Sequence, residues 1–394
     1  MAFPVTSQLK GLNNTTDPVK LGLKWLTRAD NVNVMATGGV HRREGHQRVI
    51  GAAMTGAFNS ADLTRLYVAA DDYLCVVAPD LSLVPLCPLT SRTPLQWAQL
   101  NDHIYFTNGS DSGVIDVDHT VMPWALSAPA TPTLAAGPGS LPPGQYQVRL
   151  THVWPDGREG CASDAAAVFL TQPGGLFVSD IALGPTGSAR IYIAPADSTV
   201  YQLAAEVASN TYSWDSSPDA LGAELTNAFM DAVPFGAEVI AAWRGRVYAS
   251  LYLPTEDQTA IFFSEPLAAH LFNYAESFIS VPGRVLAMAP HDEALVIGTD
   301  RKVYAYTPAA LKTLADYGVV PGMPWAVDGK RLLIWTLRGL CQFPDFTNLT
   351  SERVSVAPGT AAGAAVVEQD GQARFVASLH AGGIAFNPRK EVSP

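Results

Sequence analysis

Short apolar runs separated by turns of two or three residues recur along most of this 394-residue chain, and they limit its fold more than any other feature. Runs rich in Val, Ile, Tyr, Phe and Leu cover 64–70, 73–79, 81–87, 103–109 and 113–118. More cover 245–253, 260–265, 294–300, 302–307, 331–337 and 373–379. Gly, Asp, Asn or Pro ends each run, and the gaps shrink to Asp71-Asp72, Asp300-Arg301 and Asp370-Gly371. Turns this tight join neighbouring antiparallel strands, so the pattern predicts a meander of short strands. Helical patterning is confined to 265–274 (EPLAAHLFNY) and 309–316.

A loose repeat runs through the meander at 100–109, 243–252, 291–307 and 327–343: a polar turn, an apolar strand, a turn, a second strand. One four-stranded sheet per ~40–50 residues is the sequence form of propeller blades, although no WD or kelch signature is present. The middle differs. Residues 128–143, APATPTLAAGPGSLPP, read as a Pro/Gly/Ala linker. Five or six further strands follow up to about residue 215, with the count and turn chemistry of a small β-sandwich. The expected fold is therefore all-β, a β-propeller-like domain with an inserted small β-sandwich. Residues 1–127 form the first propeller part, 128–226 the insert and 227–394 the second propeller part.

Composition narrows the function classes. Hydrophobic residues make up 48%, enough for a full core, and charged residues only 15%. So few charges suit a surface largely hidden against partners. A net charge of −11 argues against a protein that grips phosphates, which needs clustered Lys and Arg. Cys75, Cys87, Cys161 and Cys341 form no C-x-x-C pair and read as reduced, buried thiols. The N-terminus has no secretory pattern, and no run reaches the ~18 apolar residues of a membrane helix. The expectation is a protein made in a cytoplasm, so Asn348 in its Asn-Leu-Thr triplet carries no glycosylation meaning.

Candidate chemistry is thin. G-x-S-x-G and G-x-x-x-x-G-K-[ST] are absent, and GPGSLPPG (137–144) reads as a spacer. His41 and His46 lack a partner cluster for a metal. Asn108, Ser110, Asp111, Asp116 and Asp118 offer oxygen ligands without an EF-hand register, and an Asx-rich turn explains them better. Asp71-Asp72, Glu256-Asp257 and Asp292-Glu293 are carboxylate pairs, but they sit at turns, and neighbours on a strand face opposite ways. The eight tryptophans read as blade packing. No cofactor, metal or catalytic residue is expected. The one basic cluster, Arg28, Arg42, Arg43 and Arg48 beside Asp30 and Glu44, suits a subunit contact through Arg–carboxylate pairs.

The stretch 11–49, GLNNTTDPVKLGLKWLTRADNVNVMATGGVHRREGHQRV, resembles the start of tail structural proteins of tailed bacteriophages, of the nozzle or tail-tube-tip type. The matching pattern is Gly-Leu-Asn-Asn, an Ala-Asp-Asn-Val alternation, a Gly-Gly turn and Arg-Arg-x-Gly. Residues 144–215 resemble the fibronectin type III-like modules inserted in such proteins, and 262–306 with 338–356 are also similar. The chain is shorter than the best-known nozzles.

The resemblance implies a structural virion protein in the tail, made in a host bacterial cytoplasm. It implies a homo-hexameric ring docked under a portal or adaptor ring, contacting tail fibre or needle proteins and enclosing the channel through which genomic DNA passes. An acidic wall suits that channel, because a basic one would hold the phosphates. Asp30, Asn31, Arg42, Arg43 and Arg48 become assembly residues: a blade strand, a Gly-Gly hairpin and an arginine-bearing return, placed near 373–386 to complete the last blade. The alternatives are a propeller hydrolase acting on glycans, which needs two close carboxylates, and a receptor- or carbohydrate-binding module at a tail tip.

Overall fold

The computed structural model describes residues 8–35, 37–43, 48–369, 372–379 and 382–386. The fold is all-β, a propeller with an inserted sandwich. Its only helical element among the described residues is a 3-10 turn, Pro218–Ala220.

Six antiparallel sheets follow one another along the chain as blades. The first is Met54–Asn59, Leu66–Ala70, Tyr73–Val77 and Leu83–Pro88, and the second Gln96–Leu100, His103–Thr107, Ser112–Ile115 and Val121–Met122. The third is Val239–Trp243, Arg246–Leu253 and Gln258–Glu265, whose outer edge is shared by Ala268–Phe272 and Phe278–Pro282. The fourth is Val285–Pro290, Leu295–Thr299, Val303–Thr307 and Ala310–Ala315, and the fifth Trp325–Asp328, Arg331–Thr336, Gly339–Phe343 and Thr347–Asn348. The sixth is Ala362–Gln369, Gln372–Leu379 and Gly382–Phe386, with Gly322–Met323 added in parallel beside Ala362–Gly363.

The inner strands of the blades carry apolar runs because both their faces are covered, while outer strands such as Ala310–Ala315 are exposed. Tyr67 and Ala69 pack against Trp97 and Ile104 of the second blade, while Val68 and Ala70 line the opposite face. Leu295 and Ile297 belong to the layer between the third and fourth blades, and Val296 to the layer between the fourth and fifth. Phe375 and Ala377 pack the sixth blade on Leu333 and Trp335 of the fifth. Met323 reaches from the sixth sheet to the layer between the first two. Turns close through residues at positive φ, among them Asp71, Asn101 and Asp257.

The insert is a seven-stranded sandwich. Thr133–Leu141, Gly174–Ser179 and Tyr212–Trp214 form one sheet. Ala166–Leu170, Gly144–Thr151, Ala189–Ala194 and Gln202–Val207 form the other, in that spatial order. Tyr146, Val148 and Leu150 point into a core with Ile191, Ile193, Leu176, Val178 and Trp214, while Gln145 and Gln147 face out.

Four sequence expectations need correction. Residues 265–274 and 309–316 hold no helix but the edge strands Ala268–Phe272 and Ala310–Ala315. Pairing overrides the helix propensity of their Ala and Leu. Residues 128–143 are not only linker: Thr133–Leu141 is a strand, and its Gly-Pro-Gly sits at a break in register between Gly137 and Leu141. Segment 28–49 does not complete the last blade. Among the described residues its strands Val32–Val34 and Val40–Arg42 pair only with each other, and Gly322–Met323 takes the predicted place.

Candidate assembly surface

Residues 8–43 form an arm outside the blades. Leu9 N–H donates to Gly38 O at 2.9 Å, and Gly11–Leu12 runs parallel to Trp25–Leu26. Gly38 has φ +83°, and a Cβ there would lie 2.6 Å from Gln8 Cα, so the Gly-Gly turn needs its first glycine. In the hairpin, Val32 pairs with Arg42, Asn33 with His41 and Val34 with Val40.

An asparagine clip holds the arm to the body. Asn14 Nδ2 donates to Ser355 O, and Ser355 N–H donates back to Asn14 Oδ1, both at 2.8 Å. Asn14 N–H donates to Arg353 O at 2.9 Å, Thr15 Oγ1 donates to Glu352 O, and Arg353 lies over the Trp25 ring at 5.0 Å. Asn13 Oδ1 accepts from the N–H groups of Thr15 and Thr16 and shapes the turn. Sequence reasoning passed over this clip; the run Asn13-Asn14-Thr15-Thr16, turn formers with nothing to cap, was its only signal.

The five residues singled out from the sequence all lie in or just after this arm. Asp30 pairs with Arg28, and both side chains are mostly exposed. Asn31 adopts φ 52°, and its carbonyl accepts from Arg43 N–H at 2.7 Å. Arg48 donates to the carbonyls of Ile50, Gly51 and Ala52, fixing the approach to the first blade. Arg42 and Arg43 are exposed and meet no carboxylate among the described residues. His46 and Glu44 lie outside the described residues.

Two of the acidic turns, at Asp72 and Asp257, form structural pairs. Asp72 holds Arg92 at 2.7 Å. Asp257 accepts from Tyr252 and Arg301, and Arg284 is doubly bonded to Glu238, tying the third blade to the fourth. Burial alone would raise the Asp111 carboxyl, but hydrogen bonds from Thr90, Ser91 and Asn108 hold it below its ordinary range. Asp116 and Asp118 lie at the other end of the same blade, and no group of three metal-ligating side chains exists among the described residues. Burial pushes the Cys161 thiol up to about 12, and raises those of Cys75, Cys87 and Cys341.

A cleft of about 350 Å³ separates the sandwich from the third blade, lined in part by Glu159, Arg190, Glu224 and His270. Of its two lining carboxylates, Glu159 is held by Arg190 at 2.6 Å, an arginine that also bridges Glu206 at 3.2 Å, while Glu224 is exposed. Tyr192 also donates to Glu159 at 2.8 Å. Burial, with Arg158 nearby, lowers the His270 pKa to about 4, so its ring is neutral at pH 7.

No protein-family model matches the chain, and no curated protein does. Among solved structures it is similar to the Dos1 propeller, at 12% identity and a TM-score of 0.32 over 90% of this chain and 80% of that one. It is similar to the WD40 repeats of RRP9 at 12% identity and a TM-score of 0.26, over 73% and 88%. It is also similar to the extracellular domain of a hybrid two-component system of B. thetaiotaomicron, at 10% identity and a TM-score of 0.33. That match covers 87% of this chain but spans only 39% of the other. At these scores nothing about activity passes from those proteins to this one.

Proposed function

We propose that the protein is a structural component of a tailed-bacteriophage virion, a nozzle or tail-tip subunit that forms a ring around the DNA exit channel. One observation carries this reading. The segment that resembles phage tail proteins folds into an arm whose hairpin exposes its return strand and, among the described residues, joins no other sheet strand, and an asparagine clip fixes the arm to the propeller. A two-stranded sheet alone is marginal in water, so such a hairpin suits a subunit whose neighbours complete it. The body's charge suits a wall that phosphate slides past. The hydrolase alternative is weaker, since Arg190 holds Glu159 and leaves Glu224 as the cleft's one lining carboxylate without an ion pair among the described residues, where the reaction needs two. The cleft beside them, and Phe169 and Phe229 at 64% and 75% exposure, favour the receptor-binding tail-tip module as the second reading.

The test is to purify virions from cells carrying the gene and locate the chain with antibody-gold labelling. Label at the tail tip, and tailless or leaking particles when the gene is deleted, are expected. Virions that lack the chain end the proposal.

A further inference from the structure

We infer that the arm of one copy docks on the opposite propeller face of a second copy, so that the chain associates head to tail. This rests on the reading of the protein as an assembly subunit, and adds the partner and the surface.

The arm is chemically unlike the rest of the chain. Residues 1–50 hold seven Lys and Arg against three Asp and Glu, a net +4, while residues 51–394 hold eighteen against thirty-three, a net −15. The arm also displays Val19 at 91% and Leu23 at 83% exposure in its turns, and Val40 at 42% exposure on the strand that carries Arg42. Exposed apolar side chains on a basic arm call for a partner that is apolar with an acidic rim.

Strand direction places the arm on one face. In each blade the turn between the second and third strands, and the end of the fourth, lie together. Asn348, on the last strand of the fifth blade, bonds Arg338 O at such a turn, and the clip at 352–355 follows directly. Asp257 and Arg301 mark the same face on the third and fourth blades.

The opposite face carries the complement. There the first blade turns at 60–65 and the second at 101–102 and 116–119. Arg65 donates to Asp102 O, and Tyr67 meets His119 across them at 2.8 Å. Leu63, held at φ 59°, is 77% exposed beside Asp62, and Val117 is 55% exposed between Asp116 and Asp118. With donor and acceptor on opposite faces the contact is heterologous, giving rings where the rotation closes and filaments where it does not.

The experiment is sedimentation velocity on the full chain at rising concentration, in low salt and in about 1 M salt, where the Debye length falls to about 3 Å. Wild type should form oligomers that salt weakens. Arg42→Ala with Arg43→Ala, and separately Leu63→Ser with Val117→Ser, should each weaken association at least about tenfold with unchanged unfolding midpoints. Mixed, the two variants should stop at a 1:1 dimer, since one intact arm and one intact acceptor remain. A wild type that is monomeric at its highest soluble concentration overturns the inference and leaves the virion reading to its own test. Oligomers untouched by both variants also overturn this docking, but not the assembly role.

Discussion

At the scale of single residues, His270 is the group whose charge the fold opposes most clearly in the physiological range. Burial lowers its pKa from 6.5 to about 4, and its Nε2 contacts the Glu159 carbonyl at 3.2 Å across the sandwich–blade junction. A depressed histidine means that the unfolded chain binds the proton more readily. Stability is therefore full above pH 6.5 and is lost as pH falls through 6.5 towards 4. Carboxylates held low by hydrogen bonds overlap only the lower end of that window: Asp62, held at about 2 by Ser60 and Thr64, contributes stability that fades below about pH 5. We expect the urea midpoint to drop between about pH 7 and about pH 4.5, and His270→Gln to make that drop visibly shallower. An unchanged slope in the variant would show that the proton is taken up elsewhere.

At the scale of elements, the sixth blade depends on a backbone contact that only glycine allows. Gly322 sits at φ +113°, and a Cβ would lie 2.4 Å from the Ala362 carbonyl oxygen, in the parallel pairing that starts this blade. Gly322→Val should cost on the order of 1–3 kcal/mol. The amides of Ala362–Gln369 should exchange faster, while those of Gly144–Thr151 in the sandwich keep their protection. Equal loss in both would mean that blade and insert open as one unit. This pairing was invisible in the sequence, because Gly322–Met323 is two residues long and parallel to a strand forty residues away. The blade strands were legible for the opposite reason: burial on both faces gives unbroken apolar runs at 295–297 and 332–335. Thr133–Leu141 was not, since Pro and Gly tolerated at an edge strand look like a linker. At the candidate site, the Gly-Gly turn and the arginines could be read directly. The clip of Asn14 to Ser355 could not, because it joins residues 341 apart.

At the scale of the whole molecule, the arm and the propeller are energetically separate. Among the described residues, the apolar clusters of the body contain none before Ala52, and of the arm's polar side chains only Asn13, at 8% exposure, is buried. The layers between successive blades form without it, from Tyr67 and Trp97 at one end of the chain to Trp335 and Phe375 at the other. What the arm loses on removal is a set of hydrogen bonds at 352–355, each worth about 1 kcal/mol, and the ring contact between Trp25 and Arg353. Deleting residues 1–43 should therefore leave the β-sheet circular dichroism unchanged and lower the unfolding midpoint by no more than about 7 °C. The same deletion takes away the hairpin and most of the excess positive charge, so the remaining body should repel its own copies and sediment as a monomer. A truncated chain that unfolds or precipitates would make the arm part of the fold. One that still self-associates would move the contact between copies onto the propeller itself.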